Sequence, residues 1–372
     1  MERSLVENVR RGVSELDFCV VSSTLEPGLR DRVEWRRVPV PRRPFLLKFT
    51  VFYVLGAGQV ARAGPGLRQS TGAIVPNRVA IAVIHFCHAG YHAKAKRIPK
   101  ASLPAAKACH AWLVRKTSVW AERWSYRKDQ VSWFVAVSEG VRRELEQFYP
   151  GIPCTVAPNG VDRQRFRPDT GLRPRLRHEF GAAPDDLVAV FVGGDWARKG
   201  LDIAIRAVAE ARRVHGVAVR LWIVGPGNQP SYRALARDQG AEAQVRFFGR
   251  RPDTERFYKA ADVFLFPSAY EAFPLVALEA AACGLPIVAT SINGIEELEA
   301  AGAAVTCERS PSAFARILSE LAHDRGRKKA LGRLALEQAT RYTWEQQTRT
   351  LLRLYRRLTA TTAPRGRTDR DR

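Results

Sequence analysis

A run of glycine and basic residues between positions 191 and 200 has the composition of an anion-binding loop. The segment reads FVGGDWARKG, so an apolar strand ends in Gly193 and Gly194, and Arg198 and Lys199 stand before the next helix. Glycines let a phosphate approach the backbone, and the two cations can neutralise it. A basic pair at a helix start is more often solvated surface, however, so the loop alone is a weak signal.

Two glutamates separated by seven residues form a second candidate site. Glu271 lies in a loop, and Glu279 lies on the second turn of the helix that follows. A carboxylate can accept two hydrogen bonds from a ribose diol, and the free N–H groups at a helix start can bind phosphate. Those groups belong to the segment Phe273, Pro274, Leu275 and Val276, in which the proline suits a first helical turn. The spacing alone favours capping and surface charge over a site.

Three histidines and a cysteine crowd the segment IHFCHAGYH, which covers residues 84–92. Imidazole and thiolate groups can ligate zinc, but this spacing matches no common zinc site. A histidine packed at a domain surface is the plain alternative. We therefore expect no metal site in this chain.

Around the two glutamates the sequence resembles glycosyltransferase family 4, whose members are retaining enzymes of the GT-B fold. The phrase continues as ACGLPIVAT from residue 282, and other landmarks follow in the family's order. They are AVSEGVRREL from residue 136, PNGVD from 158, WIVGPG from 222, VRFFG from 245 and ADVFLFPS from 261. The resemblance is strong from about residue 131 to 355 and weak before that.

The resemblance implies a role for each of these residues. Arg198 and Lys199 hold the donor diphosphate, Glu271 contacts the donor sugar and Glu279 binds the ribose hydroxyls. His85, or in reserve His88, is the strand-end histidine that faces the donor sugar. The implied donor contacts elsewhere are the glycine turns at Gly193, Gly194, Gly225 and Gly227, the backbone from Phe248 to Arg250 near the nucleobase, and the amides from Phe273 to Val276 on phosphate.

Two departures from the family pattern stand out. Many members carry an arginine where this chain has Gly194, and we expect Arg198 to supply that charge. Members also open with a strand and a Gly-rich loop, whereas this chain opens inside what resembles their first helix. The expectation is that the first strand and loop are lacking, which puts the activity of this chain in question.

The resemblance also implies the chemistry. The donor substrate is a nucleoside-diphosphate sugar, transfer retains the anomeric configuration, and no metal or other cofactor is needed. The acceptor is a glycan, a lipid-linked molecule or another cell-envelope component. Two alternatives stay open: a nucleotide-sugar epimerase of the same fold, and a non-catalytic or degenerate GT-B protein.

Charge is distributed unevenly along the chain. The net charge is +23, and residues 35–121 contain 15 Lys and Arg without one Asp or Glu. Such a field attracts an anionic membrane surface, unless it is only compositional bias. We expect peripheral, salt-reversible membrane binding without insertion. No nucleic-acid motif is present, so no nucleic-acid partner is expected.

From further features we expect the chain in the cytoplasm, or peripheral on the inner face of the membrane. Six scattered cysteines indicate reduced thiols, and no signal peptide opens the chain. The most apolar stretch, residues 45–61, is too short to span a bilayer and reads as a buried helix, or else a membrane-surface one.

Apolar runs and turn residues predict an α/β protein with a parallel sheet. The resemblance implies two Rossmann-like domains with a cleft between them and a last helix that crosses back. Residues 1–165 are expected to form the acceptor-side domain and residues 166–342 the donor-binding domain. Residues 343–358 form a helix that crosses back to the first domain, and residues 359–372 form a disordered tail. Among the predicted strands, residues 73–75 and 79–84 are adjacent. In the second domain, strands are predicted at residues 187–192, 219–224 and 263–266 and a helix at 254–260. Ser138 is predicted to cap a helix over residues 139–148.

Overall fold

The computed structural model describes residues 2–41, 43–95 and 105–362. Its first part contains two separate parallel sheets. Strands β1 (Cys19–Ser22) and β2 (Glu34–Arg37) form a two-stranded sheet. Strands β3 (Gln69–Thr71), β4 (Val79–Ile84), β5 (Val131–Ala136) and β6 (Cys154–Val156) form a four-stranded sheet in that order. The helices of this part are α1 (Glu2–Gly12), α2 (Phe45–Arg62), α3 (His88–Ala95), α4 (Ala105–Ser125) and α5 (Glu139–Phe148).

A six-stranded parallel sheet forms the second part, in the order β12-β11-β10-β7-β8-β9. Its strands are β7 (Leu187–Val192), β8 (Val219–Val224), β9 (Val245–Gly249), β10 (Val263–Phe266), β11 (Ile287–Thr290) and β12 (Ala304–Cys307). β7 lies between β8 and β10, so the strand order reverses at β7. In such sheets the ligand crevice opens at the carboxyl end of the strands where the order reverses.

Ten helices accompany this sheet in the described part of the chain. They are α6 (Arg173–Glu179), α7 (Trp196–Lys199), α8 (Leu201–His215), α9 (Gln229–Asp238), α10 (Thr254–Ala260), α11 (Leu275–Ala282), α12 (Glu296–Ala300), α13 (Pro311–His323), α14 (Arg325–Ala339) and α15 (Trp344–Thr362). The central strands are buried on both faces, as their continuous apolar sequences require. The domain boundary predicted at residues 165 and 166 falls between β6 and β7 and stays a prediction.

The last helix returns to the first part, as predicted. Leu351 and Leu354 of α15 pack against Ile81, Val83 and Val135 of the four-stranded sheet. Helix α15 continues to Thr362, so the prediction of disorder from residue 359 is wrong for its first four residues. The other residues of that tail, 363–372, lie outside the described part.

Two further predictions are corrected by tertiary contacts. The strand predicted at residues 73–75 forms instead at Gln69–Thr71, where the backbone pairs with Ile81–Val83. Gly72 follows with φ +81°, which ends the strand before the apolar residues begin. The apolar helix α2, predicted to be buried, leaves Phe45, Leu47, Val54 and Leu55 about half exposed.

Candidate donor site

Two glycine turns form the floor of the crevice at the carboxyl ends of β7 and β8. Gly193 and Gly225 have φ values of +135° and +138°, which side chains rarely adopt. A Cβ on Gly225 would lie 2.2 Å from the carbonyl oxygen of Gly193. The backbone N–H of Gly193 donates to Val224 at 2.8 Å. Gly225 therefore has no room for a side chain against the backbone of Gly193, and a Cβ on Gly193 would lie 2.8 Å from Lys199 Cε.

Trp196 is the first residue of the short helix α7, and its side chain fixes the glycine turn at Gly193. Its indole Nε1 donates to the carbonyl oxygen of Gly193 at 2.9 Å. Its ring covers Gly227, where a Cβ would lie 2.3 Å from ring carbon Cδ2. A Cβ on Gly194 would meet Pro226 only at 3.6 Å, an ordinary contact. Helix α7 therefore leaves the turn in one orientation and carries Arg198 and Lys199 with it.

Arg198, Lys199 and Glu271 form one cluster of charged side chains, and their predicted roles toward a donor stay predictions. Arg198 Nη1 donates to Glu271 Oε1 at 2.8 Å, and Lys199 Nζ donates to the same oxygen at 2.7 Å. Ser268 Oγ donates to it at 3.3 Å. The side chains of the three charged residues are only 11–19% exposed. Arg198 Nε also pairs with Asp195 Oδ2 at 2.7 Å, but the Asp195 side chain is 59% exposed, whereas both cations share the one buried carboxylate. The buried side of the cluster therefore has an excess of positive charge, which suits an anionic ligand.

Burial acts on both cations of this cluster. It lowers the pKa of the Lys199 ammonium, although Glu271 opposes the change. For Arg198 the same burial penalty is outweighed by Glu271 and Asp195, so its pKa is raised. Arg198 therefore keeps its charge in the crevice. A second anion beside Lys199 would stabilise the charged form of the lysine.

The start of helix α11 lies against the same loop. Pro274 is the N-cap residue with extended backbone, so the N–H groups of Leu275 and Val276 have no acceptor within the helix. The hydroxyl of Ser138, which caps α5, donates to the carbonyl oxygen of Ala272 at 2.8 Å. Gly294 packs on Phe273 and Pro274, and a Cβ there would lie 2.8 Å from Pro274 Cδ. Contacts from both parts of the chain thus hold the helix start in place.

Glu279 lies apart from that cluster and has other partners. It is 8% exposed, and its Oε1 accepts a hydrogen bond from Arg3 Nη1 at 2.8 Å. Tyr258 donates to Oε2 at 3.4 Å. Burial raises the pKa of Glu279, and Arg3 works against that rise. The sequence pattern contained no signal for Arg3, which is 276 residues away.

The predicted nucleobase segment lies at the end of β9. The Phe248 ring belongs to an aromatic cluster and lies 4.8 Å from the Phe257 ring and 5.5 Å from the Phe180 ring. The carbonyl oxygen of Gly249 accepts a hydrogen bond from Gly225 at 2.7 Å, and Arg250 is exposed. The backbone of this segment therefore borders the second glycine turn.

His85 and His88 follow strand β4 in the first part of the chain. Burial lowers the pKa of His85 to about 3 and that of His88 to about 4. Both rings are therefore neutral near pH 7. No contact joins either ring to Glu271, Arg198 or Lys199 in the described part of the chain, so the predicted role of His85 stays a prediction.

A buried polar network that the sequence analysis missed joins the histidine segment, residues 84–92, to the loop that contains Tyr270 and Glu271. The Tyr270 hydroxyl donates to Glu144 Oε2 at 2.7 Å and approaches the carbonyl oxygen of Cys87 at 3.2 Å. Asn293 Nδ2 and Lys94 Nζ lie 2.9 and 3.0 Å from Glu144 Oε1. The only local signal is the position of Tyr270 directly before Glu271. Through it, the loops on the two sides of the cleft are held together.

Four general findings concern the described part of the chain. A cavity of about 850 Å³ lies elsewhere, lined by β1, β3, α2 and α15. Within residues 2–41, 43–95 and 105–362, no group of three His, Cys, Asp or Glu side chains is placed to hold a metal ion. In the same ranges, no helix has the length and apolar character needed to cross a bilayer. All six cysteines are free thiols.

Comparisons with known proteins agree with this arrangement. Residues 2–165 match the family described as Glycosyltransferase Family 4, and residues 186–324 match Glycosyl transferases group 1. A D-inositol 3-phosphate glycosyltransferase from Segniliparus rotundus is 34% identical over 223 residues, which cover 57% of this chain and 49% of that protein. One from Acidothermus cellulolyticus is 36% identical over 229 residues, 58% and 50% of the two chains. This chain thus matches about half the length of these relatives.

Solved structures share the fold at low sequence identity. WaaG, a glycosyltransferase involved in lipopolysaccharide biosynthesis, has a TM-score of 0.78 at 18% identity and 95% coverage of both chains. Anabaena Alr3699/HepE in complex with UDP-glucose has a TM-score of 0.69 at 18% identity, covering 97% of this chain and 95% of its own. The family matches, the parallel sheets and the crevice together show that this chain belongs to glycosyltransferase family 4 and has its GT-B fold of two Rossmann-like domains.

Proposed function

We propose that this chain is a retaining glycosyltransferase that uses a nucleoside-diphosphate sugar and needs no metal. The observation that carries the proposal is the cluster of Arg198 and Lys199 on Glu271, beside the glycine turns. It supplies buried positive charge where a diphosphate can approach the backbone. Structures of the neighbour HepE with UDP and UDP-glucose support UDP as the nucleotide.

The donor diphosphate would lie between the two cations and the start of α11. The N–H groups of Leu275 and Val276 are free to donate to its oxygens, and Arg198 and Lys199 can move from Glu271 onto it. Glu271 would then turn one oxygen toward the sugar hydroxyls. Charge of this kind is most useful on the departing diphosphate, because negative charge develops there in the transition state.

The reaction would exchange one bond at the anomeric carbon. Its bond to the diphosphate oxygen breaks, a bond to the acceptor oxygen forms on the same face, and the acceptor proton passes to a phosphate oxygen. Neutral His85 would face the sugar from the other side of the cleft. The protein then contributes position and electrostatic stabilisation, without a covalent intermediate on a side chain.

The nucleoside part of the donor would lie between the end of β9 and helix α11. The ribose diol would bind Glu279, and the base would contact the backbone from Phe248 to Arg250, next to the glycine turn at Gly225. Gly193, Gly194 and Gly227 would admit the phosphates close to the main chain, and Phe273 and Pro274 would orient the helix start.

The acceptor would be a glycan or a lipid-linked or other cell-envelope molecule, reached at the cytoplasmic face of a membrane. The 15 cations without acidic residues between positions 35 and 121 support attraction to an anionic surface. Inositol 3-phosphate is the first acceptor to try, because the curated relatives are named for it.

The test combines binding, transfer and stereochemistry. Purified protein is incubated with UDP-glucose, UDP-N-acetylglucosamine or UDP-galactose in EDTA, together with inositol 3-phosphate or a polyprenyl-phosphate-linked sugar. Proton NMR of the product should show the α configuration of the donor. An inverted product, or transfer only after Mg²⁺ is restored, contradicts the mechanism. UDP binding without transfer supports a non-catalytic protein, and epimerised donor without an acceptor supports an epimerase.

A further inference from the structure

Large exposed apolar side chains are concentrated on two helices of the first part. Of the eleven such side chains in the described residues, eight lie on α2 or α4. They are Phe45, Leu47, Val54 and Leu55 on α2, and Trp112, Leu113, Trp120 and Trp124 on α4. We call this surface the α2–α4 face. Exposed apolar side chains concentrated on two neighbouring helices indicate an interaction site.

The tryptophans of α4 follow one side of the helix. Trp112, Trp120 and Trp124 are separated by multiples of four residues, which places them along a single stripe. Their exposed fractions are 50%, 56% and 41%. Cations lie among them: Lys116 Nζ is 5.8 Å from the Trp112 ring, and the Arg127 guanidinium is 4.2 Å from the Trp124 ring.

Helix α2 extends the stripe. The rings of Phe45, Phe49 and Tyr53 stack in sequence at 6.2 and 5.6 Å between centroids. The Tyr53 ring then lies 6.2 Å from that of Trp120 on α4. Ring contacts through the half-buried Phe49 and Tyr53 thus connect the exposed Phe45 with the exposed Trp120.

The exposed charges carried by helices α2 and α4 have one sign, and the acidic Asp129, which pairs with Arg127 at 3.1 Å, follows the end of α4. Helix α2 contains no acidic residue, and Glu122, the only one on α4, is 1% exposed. Its carboxylate points inward and accepts hydrogen bonds from the N–H groups of His88 and Ala89 and from the Tyr149 hydroxyl. The exposed charges of the two helices are therefore basic, and they include Lys48, Arg62, Arg115, Lys116 and Arg123.

We propose that the α2–α4 face docks on an anionic lipid surface and buries its tryptophan side chains at the level of the headgroups. Tryptophan and tyrosine favour that layer, because one end of each ring system is apolar and the other is polar. Basic residues beside them bind the anionic headgroups. A protein interface would instead be depleted of charge at its centre. The inference rests on the proposed action at a membrane. It differs from the purely electrostatic binding predicted from the sequence, because here the tryptophan side chains insert into the headgroup layer.

Vesicle binding of matched variants tests the proposal. Wild-type chain, the variant Trp112→Ser/Trp120→Ser/Trp124→Ser and the variant Lys48→Gln/Arg115→Gln/Lys116→Gln are sedimented with vesicles of phosphatidylcholine and phosphatidylglycerol. A control carries Leu172→Ser and Val214→Ser, which are similarly exposed but lie in the second part. We expect the wild type and the control to bind at low salt and to keep part of that binding at high salt. The tryptophan variant should lose at least tenfold in partitioning and all of its salt-resistant binding.

A second measurement reports the depth of the tryptophan side chains by fluorescence. Lipids brominated near the headgroup should quench part of the wild-type tryptophan fluorescence. The quenching should disappear in the tryptophan variant, where buried Trp222 and Trp344 still fluoresce. Calorimetry with UDP checks the fold of each variant, because the face is remote in sequence from the donor residues.

Several results would overturn the proposal: equal vesicle binding by the wild type and the tryptophan variant, no quenching, or no binding at low salt. A dimer that dissociates in the tryptophan variant would show that the face covers a second copy. Preferential binding of duplex DNA through the same residues would assign it to nucleic acid. Loss of UDP binding or transfer with intact vesicle binding would instead contradict the proposed function alone.

Discussion

Arg3 donates a hydrogen bond to Glu279 at 2.8 Å, although 276 residues separate them along the chain. The arginine side chain is 37% exposed, whereas that of Glu279 is 10% exposed. Since burial raises the pKa of Glu279 and Arg3 opposes the rise, the arginine helps to keep this carboxylate ionised. The first helix of the chain thereby sets the charge of the predicted ribose ligand on α11.

Removing Arg3 should make nucleotide binding depend on pH. In Arg3→Ala the pKa of Glu279 rises further, so the carboxyl group becomes protonated as the pH falls and accepts ribose hydroxyls poorly. We compare an acidic and an alkaline pH by calorimetry, and expect UDP affinity to fall more at the acidic pH and to recover at the alkaline one. Arg10→Ala, on the same helix, is the control. Tighter binding by Arg3→Ala at both pH values would show that Arg3 competes with the ribose.

Each cation of the donor cluster should contribute to nucleotide affinity. Arg198→Ala or Lys199→Ala is expected to weaken UDP binding by about 1–3 kcal/mol, the scale of a charge-assisted hydrogen bond. Arg316→Ala serves as the control, since that side chain is 60% exposed and paired with Glu320 on α13. Unchanged calorimetric affinity in both cluster variants would refute the donor assignment.

The two glutamates should differ in their kinetics. Glu279→Gln should chiefly raise KM for the donor, because ribose contacts are equal in the ground and transition states. Glu271→Gln should lower kcat more. It should leave UDP affinity equal or tighter, since it frees Arg198 and Lys199 for the diphosphate. Steady-state kinetics with the reverse pattern would exchange the two roles.

His85 should act as a neutral ring. His85→Asn is expected to lower kcat by roughly tenfold to a hundredfold if the ring holds a sugar hydroxyl. Because burial lowers the pKa of His85 to about 3, wild-type rates between pH 5 and 8 should show no step from this residue. The exposed residue His178, changed to Asn, is the control. A step near pH 6.5 that the His85 variant abolishes would contradict the burial of this ring.

Glu122 should make the fold more stable in mild acid. Burial raises its pKa from about 4.5 to about 7, so its contribution is complete below pH 4.5 and is lost as the pH rises through 7. The full shift corresponds to roughly 3 kcal/mol. Urea unfolding of Glu122→Gln should show a smaller loss of stability between pH 5 and 8 than the wild type shows. Glu146→Gln, at a 53% exposed side chain, is the control, and equal pH slopes would argue against this role.

Local sequence patterns predicted most of the second part. Residues 187–192, 219–224, 254–260 and 263–266 form the strands and the helix that the apolar runs indicated, with the same boundaries. Ser138 caps α5 as predicted, through a hydrogen bond from Val141. These features depend on the spacing of apolar side chains and on helix capping. Both involve residues that are close together in the sequence, so a single sequence is enough to predict them.

The sequence patterns did not predict the short helices and strands that lack apolar runs. Helices α3, α6, α7 and α12 and strands β2 and β12 carry polar or small residues, and their pairing partners decide them. The strand predicted at residues 73–75 moved to Gln69–Thr71 for the same reason, because backbone pairing with β4 outweighs the local apolar character.

The sequence alone determined the family, the glycine turns and the charged residues of the donor cluster, because these lie in contiguous phrases. Only the tertiary structure showed that Arg3 binds Glu279 and that Glu144 accepts a hydrogen bond from Tyr270 across the cleft. It also showed which side of α2 and of α4 is exposed. Each of these depends on residues far apart in the chain. Burial and charge pairing are properties of the assembled elements, so no local period encodes them.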